Sequence, residues 1–174
     1  MQKSNVILIG MPGAGKSTIG VILAKRLGFH FIDTDLLIQI QEKRRLQQII
    51  DQHGLQHFRQ IEEQILLQLD AERSVIATGG SVIYSTNGME KLADSGCLTY
   101  IHVPLLLLQQ RIADMGQRGL VMAKGQTFED LYLERTPLYE KFAEITISSH
   151  DKNAEQVAAK IEKKLLQTWA SPSS

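Results

Sequence analysis

The stretch Val6-Ile-Leu-Ile-Gly-Met-Pro-Gly-Ala-Gly-Lys-Ser-Thr18, continued by Ile19-Gly-Val-Ile-Leu-Ala-Lys-Arg-Leu27, decides the fold. An apolar run of strand character enters a glycine-rich loop, and a helical pattern leaves it. Gly10, Gly15, Lys16 and Ser17 have the spacing of a phosphate loop, in which consecutive backbone N–H groups and a helix N-terminus point at one anion. Glycines let the backbone close round phosphates, Lys16 reaches the β- and γ-phosphates, and the Ser17 hydroxyl ligates Mg²⁺. Gly13, Ala14, Gly15, Lys16, Ser17 and Thr18 are therefore the candidate nucleotide-binding residues, with a nucleoside triphosphate and Mg²⁺ as implied ligands. The competing reading is a glycine-rich turn that binds nothing.

The 174 residues suit one domain with a substantial core. Nineteen basic and 19 acidic side chains cancel, and no long basic run occurs. That balance argues against a nucleic-acid or membrane-surface partner and favours small molecules. No apolar run reaches the ~18 residues needed to span a bilayer, and no secretory core precedes the first strand, so a cytoplasmic protein is expected. Cys97 lies in an apolar stretch and reads as a small core residue.

After Gly28, Phe29-His-Phe-Ile-Asp-Thr-Asp35 reads as a second strand, with Asp33 and Asp35 projecting from its C-terminal end on one face. One carboxylate can hold the water shell of Mg²⁺ and the other can orient or deprotonate an attacking hydroxyl; alternatively, Asp35 only caps a helix from Leu36. From Leu36 to Asp70 the pattern is helical, with a break near Gly54. Arg59 stands there beside Glu62 and Glu63, either as a solvated charge pair or as a ligand. His53 and His57 have helix-like spacing, but Gly54 intervenes and no third ligand is evident.

Ser74-Val-Ile-Ala-Thr78 is a third strand, ending in Gly79-Gly80-Ser81, which either brings N–H groups to a substrate or makes a plain turn. Leu98–Val103 is a fourth strand, Pro104 opens a helix carrying Arg111, and Ala113–Gly125 reads as a mobile loop bearing Arg118. That loop is either a lid, whose arginine swings onto transferring phosphate, or a plain surface loop. A helix over Thr127–Ala143, a strand over Ile145–Ser148 and a closing helix from a cap at Asn153 complete residues 1–170. Residues 171–174 read as a disordered tail. Strands alternating with helices give an α/β doubly wound parallel sheet with ligands at the strand C-termini.

Taken together, Gly10 to Ser17, Asp33-Thr-Asp35, Phe58-Arg-Gln-Ile-Glu62, Gly79-Gly80 and Arg135-Thr-Pro-Leu-Tyr139 resemble the shikimate kinase family of small P-loop kinases over nearly the whole chain. The resemblance implies a nucleoside-monophosphate-kinase-like fold: a five-stranded parallel sheet flanked by helices, a helical substrate subdomain over about 35–70 and a lid over about 113–125. It implies ATP and Mg²⁺ held by Lys16, Ser17 and, through water, Asp33. Asp35 would activate the acceptor hydroxyl, and Arg59 and Arg135 would clamp a substrate carboxylate, with Glu62 orienting Arg59. Gly79, Gly80 and Ser81 would complete the substrate pocket, Arg118 would be the lid arginine, and Arg111 would lie against adenine.

The expected activity is phosphorylation of a hydroxyl of a small carboxylated alcohol, shikimate first, by a monomer. The alternatives are a kinase for another hydroxy acid or hydroxyl-bearing amino acid, or a nucleotide-binding module with little catalysis. Three positions depart from the family pattern: Ser81 replaces a third glycine, Gln39 a glutamate, and Arg118-Gly-Leu-Val121 an Arg-Pro-Leu-Leu. Serine at 81 is expected either to narrow the pocket or to add a hydrogen-bonding group, and glycine after Arg118 to loosen the lid.

Overall fold

Four consecutive apolar residues, Val6–Ile9, can be satisfied only by a strand covered on both faces. In the computed structural model, which describes residues 3–115, 120–123 and 125–170, that strand is the centre of the sheet. β1 (Asn5–Ile9) is buried throughout and pairs in parallel with β3 (Ser74–Ala77) on one side and β4 (Gly96–His102) on the other. β2 (His30–Asp33) and β5 (Ile145–Ser148) form the edges, giving five strands in the order β2-β3-β1-β4-β5, all parallel. Along edge strand β5 burial alternates, with Ile145 and Ile147 inward. The helices are α1 (Lys16–Leu27), α2 (Thr34–Glu42), α3 (Leu46–Gln68), α4 (Thr86–Ser95), α5 (Leu105–Met115), α6 (Phe128–Phe142) and α7 (Ala154–Ala170), with a 3₁₀ turn at Val82–Tyr84. None of the described helices is long and apolar enough to cross a membrane.

The chain leaves β1 toward the β3 side and later returns to the β4 side, so a crevice opens at the C-terminal end of β1. The glycine loop occupies that place. Gly15 sits in the left-handed region (φ 87°) immediately before α1, a conformation that costs other residues strain. A second apolar cluster, with Ile38, Ile49, Phe58, Ile61, Ile65 and Val121, lies under α2 and α3, apart from the core around the sheet. The two helices thereby form a rigid wall beside the crevice.

Two readings of the sequence are corrected here. The second strand stops at Asp33, because its carboxylate accepts from the N–H groups of Asp35 (3.0 Å) and Leu36 (3.3 Å) and starts α2 at Thr34. Asp35 therefore stands in the first helical turn and does not share an extended face with Asp33; the cap is Asp33, not Asp35. Second, the helical pattern from Leu36 breaks not only at Gly54 (φ 81°) but also at Lys43, whose left-handed conformation ends α2. Gln39 contributes its carbonyl to that C-cap. Cys97 is buried in β4, and burial pushes its thiol up to about 11.

Of the expected lid, residues 116–119, Arg118 among them, and Lys124 lie outside the described residues, as do 171–174. Val121 is 7% exposed and packs into the cluster under α2 and α3.

A methyl group at Gly96 would fall 2.4 Å from the Asn5 carbonyl oxygen, in the backbone of the neighbouring strand, which cannot rotate away. Gly96→Ala is expected to destabilise the fold by about 1–3 kcal/mol and to lower Tm by several degrees in calorimetry. An unchanged Tm would show that β4 is free to shift against β1.

Candidate active site

Lys16 leaves the first turn of α1 and folds back over the loop, donating to the carbonyls of Gly10 (2.8 Å) and Met11 (2.9 Å). It is 8% exposed, and burial lowers its ammonium to about 8 against the partial support of Asp35. A bound phosphate would restore the charge it favours. Beside it, Ser17 Oγ donates to Asp33 Oδ2 at 2.6 Å. A hydroxyl and a carboxylate side by side at the mouth of a phosphate loop are hard oxygen donors suited to Mg²⁺.

Across the crevice, β3 ends in the turn Gly79-Gly80-Ser81. A Cβ on Gly79 would lie 2.5 Å from Glu62 Oε1 and 2.7 Å from Asp35 Oδ1, and one on Gly80 would lie 3.0 Å from Arg135 Nη1. Only glycine leaves room for three charged ends to gather there. Glu62 (2% exposed) and Arg135 (0%) are both held in the interior. Arg135 donates through Nη2 to the Val121 carbonyl (2.6 Å) and through Nε to the Tyr84 hydroxyl (3.2 Å), while Nη1 has no hydrogen-bond partner among the described residues. Glu62 Oε1 is likewise buried without a partner. Burial pushes Asp35 up to about 6, against the pull of Lys16, and pushes Glu62 up to about 7, against the Ser81 hydrogen bond. Perturbed groups of both signs in one crevice mark a functional site.

The serine at position 81 adds a hydrogen-bonding group. Its backbone lies in the ordinary right-handed region (φ −94°), so no glycine is needed, and its hydroxyl turns inward to donate to Glu62 Oε2 at 2.7 Å. Glu62 thus engages Ser81 and forms no ion pair with Arg59. Arg59 instead lays its guanidinium over the Tyr84 ring, 4.0 Å from the centroid.

A cavity of about 740 Å³ joins these parts. Residues 13–18, Asp35, residues 79–81, Arg111 and Arg135 all line it. Arg111 Nη1 donates to the Gly13 carbonyl (3.2 Å), at the end where Ser149, Lys152 and Asn153 close the wall. Asp33 and Arg59 do not line the cavity: Asp33 accepts from Ser17, which does, and Arg59 rests on Tyr84, whose ring also lies beside Arg135. His53 and His57 lie apart on α3, rings 5.0 Å from each other, with His53 facing Arg44. Tyr84 escaped the sequence reading, and Tyr139 entered it only as the last residue of a motif, with no contact assigned. Tyr84 touches both arginines, and Tyr139 donates to the Gly80 carbonyl while stacking on Tyr100. The only available signal for Tyr84 was its place three residues after the glycine turn.

Known proteins resemble this chain in sequence and in fold. The sequence profile described as shikimate kinase matches residues 12–166. The chain is 33% identical to a shikimate kinase of Thermodesulfovibrio yellowstonii over 160 residues, which cover 90% of this chain and 92% of that protein. Among solved structures, the shikimate kinase of Acinetobacter baumannii in complex with shikimate matches with a TM-score of 0.90 and 32% identity, over 98% of this chain and 97% of that one. The shikimate kinase of Aquifex aeolicus matches with a TM-score of 0.79 and 27% identity, over 95% and 98%.

Between 4.5 and about 7 the folded protein keeps a proton on Glu62 that the unfolded chain releases. Stability therefore falls as pH rises through that window, by about 3 kcal/mol for this group alone. Glu62→Gln removes the titration. Its thermal unfolding is expected to show a shallower loss of Tm between about pH 5 and pH 8 than the wild type, and a higher Tm at the upper end. Parallel curves would mean that Glu62 is ionised at no such cost.

Proposed function

The chain belongs to the shikimate kinase family, and from that premise we propose that it transfers the γ-phosphate of ATP to a hydroxyl of shikimate, giving shikimate 3-phosphate and ADP. The family's P-loop fold, nucleoside-monophosphate-kinase-like, accounts for the sheet order and for the place of the crevice. The observation that carries the acceptor assignment is the meeting of Lys16, Asp35 and Arg135 in one cavity, with Arg135 Nη1 buried and without a hydrogen-bond partner among the described residues.

Each residue then has a task set by its surroundings. The loop amides of residues 13–18 cradle the phosphates, Lys16 neutralises their developing charge, and Arg111 with the loop before Asn153 flanks adenine. Ser17, and Asp33 through water, would hold Mg²⁺, which draws charge from the β- and γ-phosphates. Arg135 fixes the carboxylate end of the acceptor, assisted by Arg59. That leaves the hydroxyl end beside Asp35, whose raised proton affinity suits it to take the hydroxyl proton as the oxygen attacks phosphorus and ADP departs. Arg118 keeps the phosphate-facing role that the family likeness implies. ATP as donor suits a cytoplasmic protein, and a monomer is the state we propose.

Phosphoryl transfer depends mainly on positioning and charge, and a charged hydrogen bond contributes about 1.5–3 kcal/mol. In a coupled ADP-release assay, wild type is expected to turn over only with shikimate present, and Lys16→Ala to lose at least about a hundredfold in kcat/KM. Arg135→Lys, which keeps the charge but not the fork, should raise the KM for shikimate by about tenfold to a hundredfold. ATP turnover indifferent to shikimate, or an unmoved KM in Arg135→Lys, would refute the assignment. Tight ATP binding without multiple turnover would leave a nucleotide-binding module instead.

A further inference from the structure

The two arginines of the carboxylate clamp share one aromatic partner. The guanidinium carbon of Arg59 lies 4.0 Å from the Tyr84 ring centroid and that of Arg135 lies 5.2 Å from it. The Tyr84 hydroxyl accepts from Arg135 Nε at 3.2 Å and donates to Glu134, whose other oxygen accepts from Gln126 at 2.8 Å. Glu62 gives one oxygen to Ser81 and makes no hydrogen bond to Arg59, whose Nε is buried with no hydrogen-bond partner among the described residues. An arginine stacked on a ring keeps its N–H edge available for a planar acid. Tyr84 itself is well placed. Val82 and Ile83, 0% and 4% exposed, anchor the 3₁₀ turn on one side, and Ser85 caps α4 and donates to Glu63 at 2.6 Å on the other.

We propose that Tyr84 is the positioning residue of the acceptor clamp: its ring face sets Arg59 and its hydroxyl sets Arg135, so that both guanidinium forks are oriented before the acid arrives. This deepens the shikimate assignment and rests on it. The ring does for Arg59 what a carboxylate would do, without neutralising the positive charge that the substrate needs.

The test combines acceptor kinetics with a readout that needs no acceptor. Arg59 side-chain NMR resonances in the ligand-free protein should lie upfield, shielded by the ring. Tyr84→Leu is expected to abolish that shielding and to raise the KM for shikimate about tenfold, with the KM for ATP unchanged within about twofold. Tyr84→Phe, which keeps the ring and loses the hydroxyl, should retain the Arg59 shift and fall between the two in KM. The proposal is overturned if Tyr84→Leu leaves the Arg59 resonances and the shikimate KM as in wild type, or raises both KM values alike. Wild type inactive with shikimate would refute the acceptor assignment. The Arg59 resonances would then decide the positioning claim alone, and unmoved signals in Tyr84→Leu would overturn it.

Discussion

Charge held out of water around a two-glycine turn is the constraint on which the rest of the site depends. Lys16, Asp35, Glu62 and Arg135 each lose hydration there, and their partial compensation of one another keeps the cluster tolerable. Burial pushes the acids toward neutrality and the lysine toward the free amine, and an anion beside Lys16 would favour its charged form. Glycine at 79 and 80 is what makes the gathering sterically feasible, since the nearest charged oxygen or nitrogen stands within 3.0 Å of where each Cβ would be. A site built in this way gives up stability for function.

The fold supplies rigidity where those charges gather. β1 and β3, side by side and buried, deliver the phosphate loop and the glycine turn from adjacent strand ends. Glu62 and Arg59 come from α3, whose apolar face packs in a second cluster with α2 and Val121, while Arg135 enters from α6 and bonds the Val121 carbonyl. Val121 is thus tied both to the helices α2 and α3 and to Arg135.

Much of the architecture is legible in the residues, because the phosphate loop, its flanking strand and helix, and the glycine turn are local patterns. The end of β2 was not. An Asp-Thr-Asp sequence is compatible with extended chain or with a capped helix, and only the hydrogen bonds from Asp35 and Leu36 N–H to Asp33 decide between them. Ser81 left two outcomes open, and the inward turn of its hydroxyl toward Glu62 selects one. Arg59 and Arg135 were legible as a pair only through the family likeness, since their shared partner Tyr84 lies far from both in sequence. Contacts between elements carry no periodic signature, whereas capping, loop chemistry and strand burial do.

The central claim is that the crevice reads an acid at one end and a hydroxyl at the other. The most direct measurement is kcat/KM for shikimate compared with its methyl ester, which retains the ring and hydroxyls but removes the charge that the clamp is built to hold. The acid is expected to be preferred by at least about tenfold, the loss of one charged hydrogen bond. Equal values for the two compounds would contradict it.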